Sequence, residues 1–137
     1  MNANLLLTIA AALNLAVAAL HFACVFWGAE GFRLLGAGEP LVTWARQGHW
    51  YPPVIAAVLA GVFTLWAAYA ASGAGLIPPL PGLRGVLGGI TLIYLARALG
   101  FPMIMRFFPD NTKSFWWISS GICLFIGLVH GLGLLAL

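Results

Sequence analysis

The sequence predicts an all-α fold, a polytopic integral membrane four-helix bundle with a long amphipathic first loop. Three observations carry that prediction. Of 137 residues, 63% are hydrophobic and only 7% are charged, where a soluble domain of this length carries about a quarter charged residues. The mean hydropathy is +1.03, so polar surface is too scarce to cover a water-soluble globule. Four segments, at about 5–27, 53–71, 83–105 and 115–137, each supply the roughly 20 apolar residues that a hydrocarbon layer about 30 Å thick requires. One transmembrane domain over 1–137 is expected, with no internal repeat.

The first span lacks a basic leader, and its apolar stretch is too long for a signal-peptide core, so it reads as a span and not a cleaved signal. Cys24 and Cys123 both fall inside apolar segments, as small buried residues do, rather than in a disulfide framework. The loop at 28–52 is cut into short pieces by Gly and Pro, with a surface helix expected near 41–47. After the second span, "SGAGLIPPLPG" is a Gly/Pro turn. The third span carries Arg97 inside "ITLIYLARALGF". A turn signal at Pro109-Asp110-Asn111 and interfacial aromatics then lead into the fourth span. The net charge is +3 with no Lys/Arg block, which gives no basis for nucleic-acid binding.

With four spans, both termini share one side with the second loop. Loops one and three hold Arg33, Arg46, Arg106 and Lys113 on the other side, whereas the first side holds Arg84. The positive-inside rule then makes the side of loops one and three cytoplasmic and both termini external, in the cell membrane, a bacterial inner membrane. Trp27, Trp44, Trp50, Trp116 and Trp117 read as an aromatic belt at the cytoplasmic interface. "GVLGG" and "GLVHG" set Gly85 four residues from Gly89 and Gly127 four from Gly131. Such faces let helices approach closely, within one bundle or between copies in a homo-oligomer.

Polar residues within the spans locate a candidate site. At ~1.5 Å per residue, His21 and Arg97 lie roughly 8–13 Å from the same interface, and Ser119 and Ser120 somewhat nearer it. A mid-span arginine costs about 2.5–3.5 kcal/mol on insertion scales, and its guanidinium stays charged. Three answers to that cost stay open. Arg97 snorkels to head groups; it bonds to loop carbonyls or to Glu30, Glu39 or Asp110; or it holds an anionic ligand. His21 is open between a neutral interhelical partner, a ligand or acid–base group, and a metal ligand. His21-x-x-Cys24 presents two soft ligands, with His49 as a third candidate. Nothing fixes that third donor, and zinc or copper needs three or four, so no metal is assigned. The candidate ligand-binding set is Arg97, His21, Tyr94, Ser119, Ser120, Glu30 and His49, with the folded first loop supplying Glu30 and His49. No cofactor is identifiable, and no catalytic motif is present.

The stretches "AALHFACVFWGAEG", "LIYLARALGF" and "TKSFWWISSGICLFIGL" fall in an order that resembles the small four-helix bacterial membrane proteins of the DoxX-like group. The likeness rests on Arg97-Ala98-Leu99-Gly100 ending a third helix, on Ser119 and Ser120 near the start of a fourth, and on His21. It departs after His21, where "FACVFWG" replaces a more aromatic, Gly-paired run. The resemblance implies a four-helix bundle and little about activity. "VTWARQGHWYPPVIAAVLAGVF" and "LIYLARALGF" are similar to the second and third helices of membrane-associated eicosanoid and glutathione enzymes, which are trimers. Those enzymes carry Asn and an acidic residue in the second helix, where this chain has only Thr64, Trp66 and Tyr69 as side chains with a polar atom.

Three functions fit the sequence. The first is binding of a lipid-like or quinone-like molecule in a pocket open toward loops one and three. The second is an accessory or structural role in a membrane complex. The third is redox or glutathione-type conjugating catalysis within the membrane.

Overall fold

A computed structural model describes residues 2–137. Among these the structure is helical without strands. The helices are α1 (Ala3–Trp27), α2 (Ala29–Leu34), α3 (Glu39–Arg46), α4 (Tyr51–Gly73), α5 (Leu83–Leu99), α6 (Phe101–Ile104), a 3-10 turn at Met105–Phe107, and α7 (Lys113–Leu135). Helices α1, α4 and α7 are each long and apolar enough to cross a membrane; a fourth crossing requires counting α5 and the segment Phe101–Phe107 as one span, although they meet at a bend of 65°.

Local chemistry sets the boundaries. The Asn2 side chain accepts from the Leu5 N–H at 3.0 Å, and Thr112 Oγ1 accepts from the Phe115 N–H at 3.0 Å. Each cap satisfies one of the donors that a first helical turn leaves free. Pro52 and Pro53 sit in the first turn of α4, where no intrahelical donor is needed.

The third expected span, 83–105, is not one straight helix. Pro102 has no N–H to give the carbonyl of Ala98, and its ring crowds that carbonyl. The Gly100 N–H closes α5 on Ala96 O at 2.8 Å, and the chain then bends. Arg97 therefore stands in the last turn of α5 and not mid-helix. Free carbonyls at a helix C-terminus favour a cation there, which lowers the cost of placing one in an apolar segment.

Helix α1 packs along α4, α5 packs along α7, and α1 also meets α7, while α4 and α5 touch only sparsely. Packing is close around Leu7, which is fully buried. A Cβ on Gly73 or on Gly133 would come within 2.7 Å of the Leu7 methyl groups. Leu7 fits because two other helices present glycine to it. The GxxxG pairs behave differently from each other. A Cβ on Gly127 would meet Leu95 Cδ2 at 2.9 Å and Tyr94 Cβ at 3.2 Å, and one on Gly131 would meet Thr91 Cγ2 at 3.2 Å. This pair is occupied inside the chain by α5. Gly85 and Gly89 have nothing within 4 Å of such a Cβ.

The first loop folds back. The surface helix expected near 41–47 is α3, which begins two residues earlier, at Glu39. Phe32 and Val42 are buried with Cys24 and Ala56 in a second small core. Gly36, at φ +73°, lies against Phe115: a Cβ there would fall 2.1 Å from the ring. Asn111 Nδ2 donates to Gly36 O at 3.1 Å, tying the loop between α6 and α7 to the first loop.

A cavity around Arg97

A cavity of about 730 Å³ lies among the four long helices, toward the end closed by the first loop. Its walls are Val17 and His21 from α1, Phe63 and Trp66 from α4, Ile93, Tyr94 and Arg97 from α5, and Ser119, Ile122 and Cys123 from α7. Leu34, Leu35, Thr112, Ser114 and Phe115 contribute at the loop end. The lining is almost wholly apolar, and Arg97 is its only formal charge.

Two adjacent serines on α7 hold the guanidinium. Arg97 donates from Nη2 to Ser119 Oγ at 2.9 Å and from Nη1 to Ser120 Oγ at 3.1 Å. Its guanidinium carbon lies 5.0 Å from the centre of the buried Trp116 ring, a cation–π geometry. Two of the five guanidinium N–H groups are committed this way, and the others have no partner among the described residues. No carboxylate there comes within 4.0 Å of Arg97. The acids expected as its partners are engaged elsewhere. Glu30 lies 2.7 Å from Arg33 and 4.0 Å from Arg46, and Glu39 lies 3.7 Å from Arg33. Asp110 borders a small separate cleft beside Arg33 and Glu39. The packing of α5 along α7 brings Arg97 onto α7, whereas α2 and α3 gather Glu30 and Glu39 around their own arginines.

His21 borders the same cavity. Its Nδ1 is 2.8 Å from Val17 O. A carbonyl only accepts, so Nδ1 carries the hydrogen and the neutral ring leaves Nε2 as an acceptor. That nitrogen has no partner among the described residues. The ring rests on Phe63 at 4.9 Å between centroids.

Tyr94 links the cavity to a buried polar cluster. Its hydroxyl donates to Asn14 Oδ1 at 2.7 Å. Asn14 Nδ2 donates to Ala10 O at 3.1 Å and to His130 Nε2 at 2.7 Å. The bond to Ala10 fixes which end of the amide is nitrogen, and therefore makes His130 Nε2 the acceptor. His130 Nδ1 is left buried without a partner among the described residues. Asn14, Tyr94 and His130 tie α1, α5 and α7 together.

Of the residues the sequence nominated, Arg97, His21, Tyr94 and Ser119 line this cavity, and Ser120 accepts from Arg97. Glu30 and His49 lie apart from it. Glu30 is exposed in the ion cluster with Arg33. His49 is exposed, accepts from the Tyr51 N–H at 3.1 Å, and stacks between Trp44 and Trp50. The aromatic belt also needs amending. Trp27, Trp44, Trp50 and Trp117 are exposed, but Trp116 is 3% exposed and lies under Arg97. Cys24 packs against α2, α3 and α4, away from His21's cavity. Among the described residues no three His, Cys, Asp or Glu side chains gather as a metal-ligand group.

The Asn14–His130 contact was not foreseen, although helix depth held a signal for part of it. Asn14 lies eleven residues after Ala3 and Tyr94 eleven after Leu83, so two helices that start on one side bring them to one level. The walls offer charge, hydrogen-bond donors, the free acceptor of His21, the Ser114 hydroxyl and a large apolar volume. Cys123, the one cavity-lining thiol, has no base within hydrogen-bond reach among the described residues. The chain matches no protein-family model, no curated protein and no solved structure.

Proposed function

We propose that this chain is a multi-pass protein of a cell membrane, a bundle in which α5 and the segment after it form a fourth, broken span. In this reading it binds a hydrophobic small molecule, lipid-like or quinone-like, whose anionic or carbonyl end meets Arg97. The single observation behind the proposal is an uncompensated guanidinium in an otherwise apolar cavity of about 730 Å³. Small-molecule sites commonly span about 300–1,000 Å³, mostly apolar with a few convergent polar groups. A charge in such surroundings costs several kcal/mol unless paired. Ser119, Ser120 and Trp116 orient the guanidinium but bring no negative charge to it. An oxygen-bearing ligand would use the N–H groups they leave free.

The test is native mass spectrometry of the full chain extracted in mild detergent, with the bound molecule identified after solvent extraction. Wild-type protein is expected to carry a small amphiphile. Arg97→Ala is expected to lose it while remaining folded, and Arg97→Lys to retain less, because an ammonium lacks the planar fork. A folded Arg97→Ala protein that keeps the same molecule at the same occupancy would overturn the proposal.

A further inference from the structure

We infer that the ligand of this cavity carries a hydroxyl in addition to the oxygen taken by Arg97, and that His21 Nε2 accepts from it. The inference rests on the binding reading above and adds a second polar requirement to it. Arg97 can only donate. A ligand with nothing but acceptor oxygens, such as a simple fatty acid carboxylate or its ester, satisfies Arg97 and leaves an accepting nitrogen in the wall unpaired. His21 differs in kind. Val17 O takes the Nδ1 hydrogen at 2.8 Å, which makes Nε2 an acceptor in the neutral ring. Among the described residues Nε2 has no partner, and it is not a sealed atom, since His130 Nδ1 alone is both buried and unpartnered. The surface that His21 shares with Arg97 is the cavity wall.

Most other polar groups of the wall are engaged, Thr112 by the Phe115 N–H, while the Ser114 hydroxyl at the loop end has no hydrogen-bond partner among the described residues. The Tyr94 hydroxyl gives its hydrogen to Asn14 at 2.7 Å, and Ser119 and Ser120 accept from Arg97. One donor-only group and one accepting nitrogen, on α5 and α1, thus face a common apolar volume. They suit an amphiphile with an acidic or carbonyl oxygen and a separate hydroxyl. They do not suit a purely hydrocarbon or single-oxygen ligand equally well. A site built to bond a hydroxyl discriminates against the analogue lacking it because the site's own polar group is then left unpaired.

The experiment measures binding of stearic acid, methyl stearate, and 2-, 3-, 10- and 12-hydroxystearic acids to the delipidated full chain in nanodiscs. Wild-type protein, His21→Phe and His21→Gln are compared. At least one hydroxy acid is expected to bind wild type roughly five- to tenfold more tightly than stearic acid, the order of one added neutral hydrogen bond. His21→Phe keeps an aromatic ring against Phe63 and is expected to erase that gain, read as the ratio of hydroxy acid to stearic acid affinity within the same variant. His21→Gln, which restores an acceptor, is expected to recover part of the gain. Equal binding of stearic acid and every hydroxy acid, or a gain that survives in His21→Phe, would overturn the inference and leave the Arg97 reading standing. Failure of all six probes to bind any of the three proteins would overturn both.

Discussion

The guanidinium carbon of Arg97 lies 5.0 Å from the centre of the Trp116 ring. That ring is 3% exposed, whereas Arg97 itself is half-buried. A desolvated cation–π pair contributes about 2 kcal/mol or more, against about 0.5–1 at an exposed site. Trp116 thus fixes the plane in which Arg97 faces the cavity, with Ser119 and Ser120 fixing its edge. Replacing Trp116 with Leu is expected to lower thermal stability in detergent by the equivalent of about 1–2 kcal/mol and to reduce occupancy of the cavity. Trp116→Phe keeps an aromatic face and should recover much of both. Equal stability for the Leu and Phe variants would argue that packing alone, and not the ring's electrostatics, matters there.

Asn14 is the hub of the buried cluster, bonded to Tyr94, His130 and its own helix. Asn14→Leu keeps a side chain of similar reach but leaves the Tyr94 hydroxyl and His130 Nε2 unsatisfied. Each buried polar group stranded in this way costs about 1–3 kcal/mol. Equilibrium unfolding in mixed micelles is expected to show a loss of at least about 1 kcal/mol. An unchanged unfolding midpoint would mean that the cluster does not hold α1, α5 and α7 together.

The two GxxxG pairs are expected to respond oppositely to bulk. Gly127→Leu must push α7 away from Leu95 and Tyr94, since even a Cβ would come within 2.9 Å. Overpacking of this kind costs about 1–3 kcal/mol. Gly89→Leu meets open space within the chain and is expected to leave monomer stability unchanged. If Gly89 lies in a seam between copies, the same variant should shift the oligomer distribution seen by size-exclusion chromatography with light scattering. Loss of stability in Gly89→Leu without a change in oligomeric state would contradict the packing described.

The first loop is pinned at Gly36. Its φ of +73° costs about 1–2 kcal/mol for a residue with a Cβ, and that Cβ would collide with Phe115. Gly36→Ala is expected to loosen α2 and α3 from the end of α7. Hydrogen exchange across 29–48 should quicken while exchange in α1 and α4 stays slow. Slow exchange throughout the loop in the variant would show that the buried Phe32 and Val42 suffice to hold it.

Hydropathy read from the sequence was enough to place three apolar helices of membrane-spanning length and the turns between them. Apolar length is a local property of the chain, and a bilayer-sized run of it admits few other structures. Matched depth also placed His21, Arg97, Ser119 and Ser120 in one layer, because helical rise is fixed. Depth does not give rotation about a helix axis or the identity of the neighbour. Those came only with the tertiary structure. It turned Arg97 toward two serines and Trp116 instead of the acids of the first loop, which Arg33 and Arg46 had already taken. It also moved Trp116 from the interfacial belt to the interior and joined Asn14 to His130 across 116 residues of chain. The bend after Leu99 lies between these cases. The expected span 83–105 ran through Pro102, although its chemistry favours a break, and the 65° turn that leaves Arg97 in a helix's last turn depends on how the following segment packs. Which side chains meet is decided by small-residue contacts such as Leu7 against Gly73 and Gly133, and these are relations between distant segments that no single stretch of sequence contains.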